Sequence, residues 1–196
     1  MKKEKFIRQR DDKLVLITAI TAGVVAVVGN ININSALERI LSFLIQHYRW
    51  AAELFTRSPY ISMIVLFLGA LVGLAFVIIV LHEIGHYAAY VLSGAPRRHV
   101  RFGWRGIFPC IYVDQPMQWT VKVIAAATPI GWITVPSAVA AAVVRSVAWK
   151  EILVFTAIGN LALSVSDLYL IYQYFAVPRK CKIRETQGGE IAEWEE

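Results

Sequence analysis

The sequence predicts an all-α polytopic membrane protein with four transmembrane helices, a small β-hairpin on the cytoplasmic side and an amphipathic helix on the outer side. Three observations carry that expectation. The 196-residue chain is 57% hydrophobic and only 17% charged, against about 25% charged in an average soluble domain. Four apolar runs approach or exceed the roughly 20 residues of helix that cross a bilayer core. Lys and Arg fall unevenly around those runs, as they do where charge sets topology.

The elements follow in order. Residues 1–13, MKKEKFIRQRDDK, form a basic leader, expected to stay in the cytoplasm. It reads as the flank of a signal anchor, because it is long and no A-x-A-like cleavage site follows the apolar run cleanly. The first span is residues 14–31. Residues 35–56 place Leu37, Ile40, Leu41, Leu44, Ile45, Tyr48, Ala52 and Phe55 at helical spacing, with Glu38, Arg39, His47 and Arg49 between them. That pattern predicts a helix lying on the outer surface, capped by Ser35. The second span, 61–92, is uncharged from Ile61 to Leu81 and then runs into HEIGH. Residues 99–114 hold two strand-like runs, Val100 to Trp104 and Ile107 to Val113, around an Arg105-Gly106 turn. Pro109 makes the second of them an edge strand. The third span, 121–144, is interrupted by Pro129, Gly131 and Pro136, breaks that neighbouring helices can satisfy in a membrane. The fourth is 152–175. The tail, 178–196, is acidic after Gly188, and that last stretch is expected to be disordered.

With this arrangement fifteen of the 20 Lys and Arg lie inside and five outside. Both termini are therefore expected in the cytoplasm of a multi-pass cell-membrane protein, with the lipid bilayer as its solvent. The formal charge of +6 is mostly this bias, so nucleic acid is not an expected partner. Cys110 and Cys181 fall on the reducing side, where a structural disulfide is not expected, and neither has a companion at metal-ligand spacing.

HEIGH carries the chemistry. His82 and His86 are four residues apart, so on a helix they project from one face and can reach a single zinc ion. Glu83 stands beside them as a general base for water activated by the metal. Ionisable residues inside a span are costly and mark function. The plainer alternative, interfacial histidines bonded to headgroups or carbonyls, accounts for one histidine but not for a pair with a glutamate between. A catalytic zinc site keeps three protein ligands, and Asp167 is the only acidic residue inside the fourth span. His82 to His86 lie about 10–17 Å before the end of their span at Ser93, and Asp167 about 17 Å before Pro178, at 1.5 Å per residue. Asn160, Ser164 and Asp167 form one polar stripe at i, i+4 and i+7, which should face protein or water. The alternative is a packing line in which Asp167 pairs with an arginine, but no arginine sits at that depth.

HEIGH late in one span, AAATPIGW in the next and GNLALSVSD in the third core helix together resemble the site-2 proteases. These are zinc metalloproteases that cut within the membrane, and the chain looks closest to their small zincin relatives without regulatory domains. The resemblance covers roughly residues 61–175. It implies His82, His86 and Asp167 as zinc ligands, Glu83 as the base, and Asn160 as a group that holds substrate backbone or the oxyanion. The proline found between the asparagine and the aspartate in better-known members is absent, and Leu168 stands where they have glycine.

The implied activity is hydrolysis of peptide bonds in a single-span membrane protein substrate. Zinc-activated water, deprotonated by Glu83, attacks the carbonyl, and Glu83 then protonates the leaving amine. The hairpin at 99–114 would capture the unwound segment by edge pairing. Regulation would fall to the loops, to a regulatory membrane partner or to a homo-oligomer. Two rivals stand beside this reading: a non-catalytic zinc-binding membrane adaptor or complex subunit, and a zinc hydrolase of a lipid or small molecule.

Overall fold

Alternation, not helical spacing, governs the two ends of the chain. In KKEKFIR at the start, Ile7 is buried while Phe6 beside it is exposed, and in GEIAEWE at the end Glu190 and Ala192 are buried at alternate positions. Period-two burial is the signature of a strand. The protein is described here by a computed structural model covering residues 2–8, 42–105, 108–186 and 189–195. Its strands are β1 (Lys2–Arg8), β2 (Val100–Arg105), β3 (Phe108–Val113), β4 (Met117–Gln118), β5 (Lys182–Thr186) and β6 (Gly189–Glu195).

These make two antiparallel sheets. β1, β6, β5 and β4 lie in that order, and β2 pairs with β3. β1 and β6 run from Lys2 opposite Glu195 to Arg8 opposite Gly189, so the two ends of the chain lie side by side. Basic β1 meets acidic β6, and Lys2 bridges Glu193 at 3.1 Å and Glu4 at 3.4 Å. The all-α expectation is therefore overturned: the fold is mixed α/β. The tail supplies two of the four strands of the larger sheet, β6 from the stretch expected to be disordered, and the basic leader supplies a third. Their buried alternate residues, Ile7, Ile183 and Ala192, join Trp119, Tyr174, Val177 and Cys181 in one core cluster.

The helices are α1 (residues 42–47), α2 (Arg49–Arg57), α3 (Pro59–Leu92), α4 (Trp119–Pro129), α5 (Val135–Val143), α6 (Val147–Leu163) and α7 (Val165–Tyr174). Of the surface helix expected over 35–56, the described part forms α1 and α2, while 35–41 lies outside the described residues. α3 begins with Pro59 just inside its N-terminus, where the missing N–H costs nothing. It stops at a Schellman turn: Ala95 N–H donates to Tyr90 O at 3.0 Å and Gly94 N–H to Val91 O at 3.1 Å. Gly94 takes φ +90° there, a conformation that glycine adopts without a Cβ penalty.

α4 and α5 are one helical rod joined by a π turn at Ile130–Thr134. Pro129 and Pro136 flank that turn, and each removes one N–H from the ladder. α6 and α7 bend by 43° at Ser164, whose N–H and hydroxyl both donate to Asn160 O at 2.9 Å. Among the described residues two helices, Leu68–Leu92 and Trp119–Val143, are long and apolar enough to cross a membrane, or three if the bent pair is one span. The four-span expectation is corrected accordingly, and its first span, 14–31, lies outside the described residues. The β2–β3 hairpin follows α3 closely and packs back on it and on α4 through Val100, Val113, Ala89 and Ala125.

Candidate metal centre

On α3, one turn apart, His82 and His86 turn their Nε2 atoms towards each other at 3.2 Å. Asp167, near the start of α7, brings Oδ2 to 3.2 Å from His82 Nε2 and 3.5 Å from His86 Nε2. The three residues offer ligand atoms that all lie within 4.8 Å of one another. The polar stripe is turned inward, since Asn160, Ser164 and Asp167 are all buried. The bend at Ser164 lies between Asn160 and Asp167, so α6 and α7 each contribute one of them to the site.

The rest of each imidazole shows which nitrogens carry hydrogen. Asn160 donates its amide nitrogen to Pro129 O at 2.9 Å and to Thr134 Oγ1 at 2.8 Å. A carbonyl only accepts, so the amide nitrogen must face Pro129 and the amide oxygen must face His82. That oxygen lies 3.0 Å from His82 Nδ1, and His82 Nδ1 is therefore a donor. His86 Nδ1 lies 2.9 Å from Ala125 O, again an acceptor, so it too carries the hydrogen. In their neutral forms the two rings present bare Nε2 lone pairs to the same point.

Ala125 has a carbonyl to give because of the sequence four residues on. In an α-helix it would accept from the N–H of residue 129, which is proline and has none. Pro129 thus works twice: its missing N–H frees Ala125 O for His86, and its own carbonyl anchors the amide that orients His82. Such outer-shell partners fix the ring and tautomer of a metal-binding histidine.

Asp167 Oδ2 is buried and accepts no hydrogen bond, although two imidazole nitrogens stand close to it. With the hydrogens on the Nδ1 atoms, neither Nε2 has a proton to donate, so closeness does not become a bond. Two bare nitrogen lone pairs and an orphaned carboxylate oxygen converge in a nearly waterless place, an arrangement that repels itself unless a cation sits among them. His₂Asp is a borderline donor set that suits zinc with an open position. The residues present fit the metal.

Glu83 lies one residue on from His82, and its Oε2 accepts the backbone N–H of Ile111 on β3 at 2.7 Å. The hairpin thereby holds the carboxylate in place from outside the helix. The base of that hairpin is closed by polar contacts: Asp114 accepts from His99 Nδ1 and Arg101 Nε, both at 2.6 Å. The His99 hydrogen bond, supported by Arg101, holds the Asp114 carboxyl below its ordinary range.

The structure thus brings His82, His86 and Asp167 to one point and sets Glu83 beside them in sequence. Asn160, expected from the family resemblance to touch substrate or an oxyanion, lies fully buried behind His82 with both ends of its amide engaged. Ala125, Pro129 and Thr134 were not among the expected site residues. Ala125 acts through its backbone, which no side-chain motif reports, and the available signal was the proline four residues after it.

Comparison with known protein families matches residues 75–182, more than half of the chain, to the family described as "Putative zincin peptidase". No curated protein and no solved structure matches. The matched segment contains the whole triad, Glu83 and every residue that orients the histidines, so on both the comparison and the chemistry of its donors the chain belongs to the "Putative zincin peptidase" family.

Proposed function

We propose that the protein is an intramembrane zinc metallopeptidase of the site-2 protease kind, cutting transmembrane segments of single-span substrates. One observation carries the reading. Three acceptor atoms, on buried His82 and Asp167 and half-buried His86, converge within 4.8 Å on helices apolar enough to cross a membrane when the bent α6–α7 pair is one span. The alternatives weighed from sequence, an adaptor and a lipid or small-molecule hydrolase, account for a metal site but give Glu83 and the hairpin no joint role.

When bound, zinc supplies Lewis acidity, polarising a carbonyl and easing the loss of a proton from water. His82, His86 and Asp167 hold it, with Asn160 and the Ala125 carbonyl fixing the rings. Glu83 takes the proton from the attacking water and returns it to the departing amine. With Oε2 anchored on Ile111 N–H, Oε1 is the oxygen left to carry that proton. A substrate helix hides its carbonyls, so the scissile stretch unwinds first. The β2–β3 hairpin, a two-stranded sheet, offers an edge to such a strand.

The test uses purified wild type and Glu83→Gln in detergent, with bound zinc measured and a panel of single-span substrates assayed. Zinc in both and turnover only in wild type is the expected result. Equal turnover in the two refutes the mechanism, and zinc in both with turnover in neither favours the adaptor.

A further inference from the structure

Among the described residues, the largest set of buried polar groups beyond the candidate metal centre is gathered around Lys122 on α4. Its Nζ bonds to Glu190 Oε1 at 3.0 Å, pairs with Glu185 and lies 3.4 Å from Tyr90 Oη. Tyr174 Oη donates to Glu190 Oε2 at 2.6 Å, and Tyr90 Oη reaches Glu185 Oε1 at 3.4 Å. Lys122, Glu190, Tyr90 and Tyr174 are all buried. Both carboxylates come from β5 and β6, the C-terminal hairpin.

The partners of those carboxylates are placed by helical phase. Tyr90 follows His86 by four residues on α3. Lys122 precedes Ala125, whose carbonyl orients His86, by three residues on α4. Tyr174 follows Asp167 by seven residues on α7. Spacings of three, four and seven return to the same helix face. Three of the four helices that supply a group to the site, α3, α4 and α7, therefore each send one more side chain, one or two turns away, to a single ionic knot. Glu185 and Glu190 lie outside the matched family segment, 75–182, so the knot joins that segment to strands beyond it.

We propose that the C-terminal hairpin is a clamp for the metal centre. Through Glu185 and Glu190 it ties α3, α4 and α7 together and so sets the spacing of His86, the Ala125 carbonyl and Asp167. Lys122, Tyr90, Tyr174, Glu185 and Glu190 are positioning residues, acting on the ligands through helix placement and touching neither metal nor substrate. The proposal rests on the reading of His82, His86 and Asp167 as metal ligands.

Cobalt(II) tests it, because its visible absorption reports the geometry of the ligands without any need for turnover. Wild type, Glu190→Gln and Lys122→Met are prepared metal-free in detergent, checked for helix content by circular dichroism and titrated with Co²⁺. Glu190→Gln keeps an acceptor of the same shape, so it folds even if Lys122→Met does not. A clamp predicts at least a tenfold weaker Co²⁺ affinity and shifted visible bands in Glu190→Gln, with partial recovery in the Lys122→Met/Glu190→Gln pair, where no charge is left alone between those two positions. Unchanged affinity and bands in a folded Glu190→Gln overturn the clamp. Failure of wild type itself to bind Co²⁺ overturns the metal-site reading instead.

Discussion

Replacing Asn160 with alanine probes how the site is ordered. The substitution deletes three contacts: the acceptor for His82 Nδ1 and the two donations to Pro129 O and Thr134 Oγ1. Asn160 is 0% exposed, so water does not readily replace what is lost. His82 is then free to turn or to move its proton to Nε2, the atom that should face the metal. Loss of such an outer-shell partner lowers metal affinity by about 10–100-fold, equivalent to ~1.4–2.8 kcal/mol. Each buried group left unpaired also costs ~1–3 kcal/mol of folding stability. Asn160→Asp restores an acceptor for His82 but loses both donors, so it should recover part of the affinity and little of the stability. The assay is competition for zinc against a chelator of known affinity, run on protein whose helix content is unchanged. Affinity within about twofold of wild type in Asn160→Ala would refute the orienting role.

Four further outcomes follow from the same contacts. Lys122→Met takes the lysine cation away from buried Glu190 and half-buried Glu185 and should cost about 3–5 kcal/mol, read as a fall in Tm much larger than that of the Lys122→Met/Glu190→Gln pair. Gly94→Ala places a side chain at φ +90° and should cost about 1–2 kcal/mol, measured by thermal unfolding, with zinc stoichiometry unchanged. Removing zinc by dialysis against chelator should lower Tm, and adding it back at 100 times its dissociation constant should recover about 2.7 kcal/mol. The native Asp114 carboxyl is held below its ordinary range by His99, so over that interval the unfolded chain binds more protons than the native one. Its contribution is therefore full above about pH 3.9 and is lost as pH falls further towards the native value. Amide exchange at the base of β2–β3 should accelerate over that window in wild type and show no such step in Asp114→Asn.

The cluster of His82, His86 and Asp167 was far more legible in the sequence than the fold. The meeting of His82 and His86 could be read because a helix converts a spacing of four into a shared face. Asp167 could be read because a carboxylate among apolar residues at a matched depth has few other reasons to be there. Asn160 was found for its place in the polar stripe, but its role depends on which way an amide points, and that is set by Pro129 and Thr134 from another helix. The larger sheet was missed because its strands are short, charged and distant in sequence. KKEKFIR resembled a topological leader and GEIAEWE a solvated tail. The alternation that buries Ile7 and Ala192 and the opposite charges of the two segments were both present, but pairing residues nearly 190 apart is a tertiary fact that local periodicity does not carry.

The most direct measurement is zinc stoichiometry in purified wild type, Glu83→Gln and Asp167→Ala. One zinc per chain in wild type and Glu83→Gln, with most of it lost in Asp167→Ala, is the result predicted by a His82–His86–Asp167 centre with Glu83 outside it. Retention of a full zinc by a folded Asp167→Ala would contradict it.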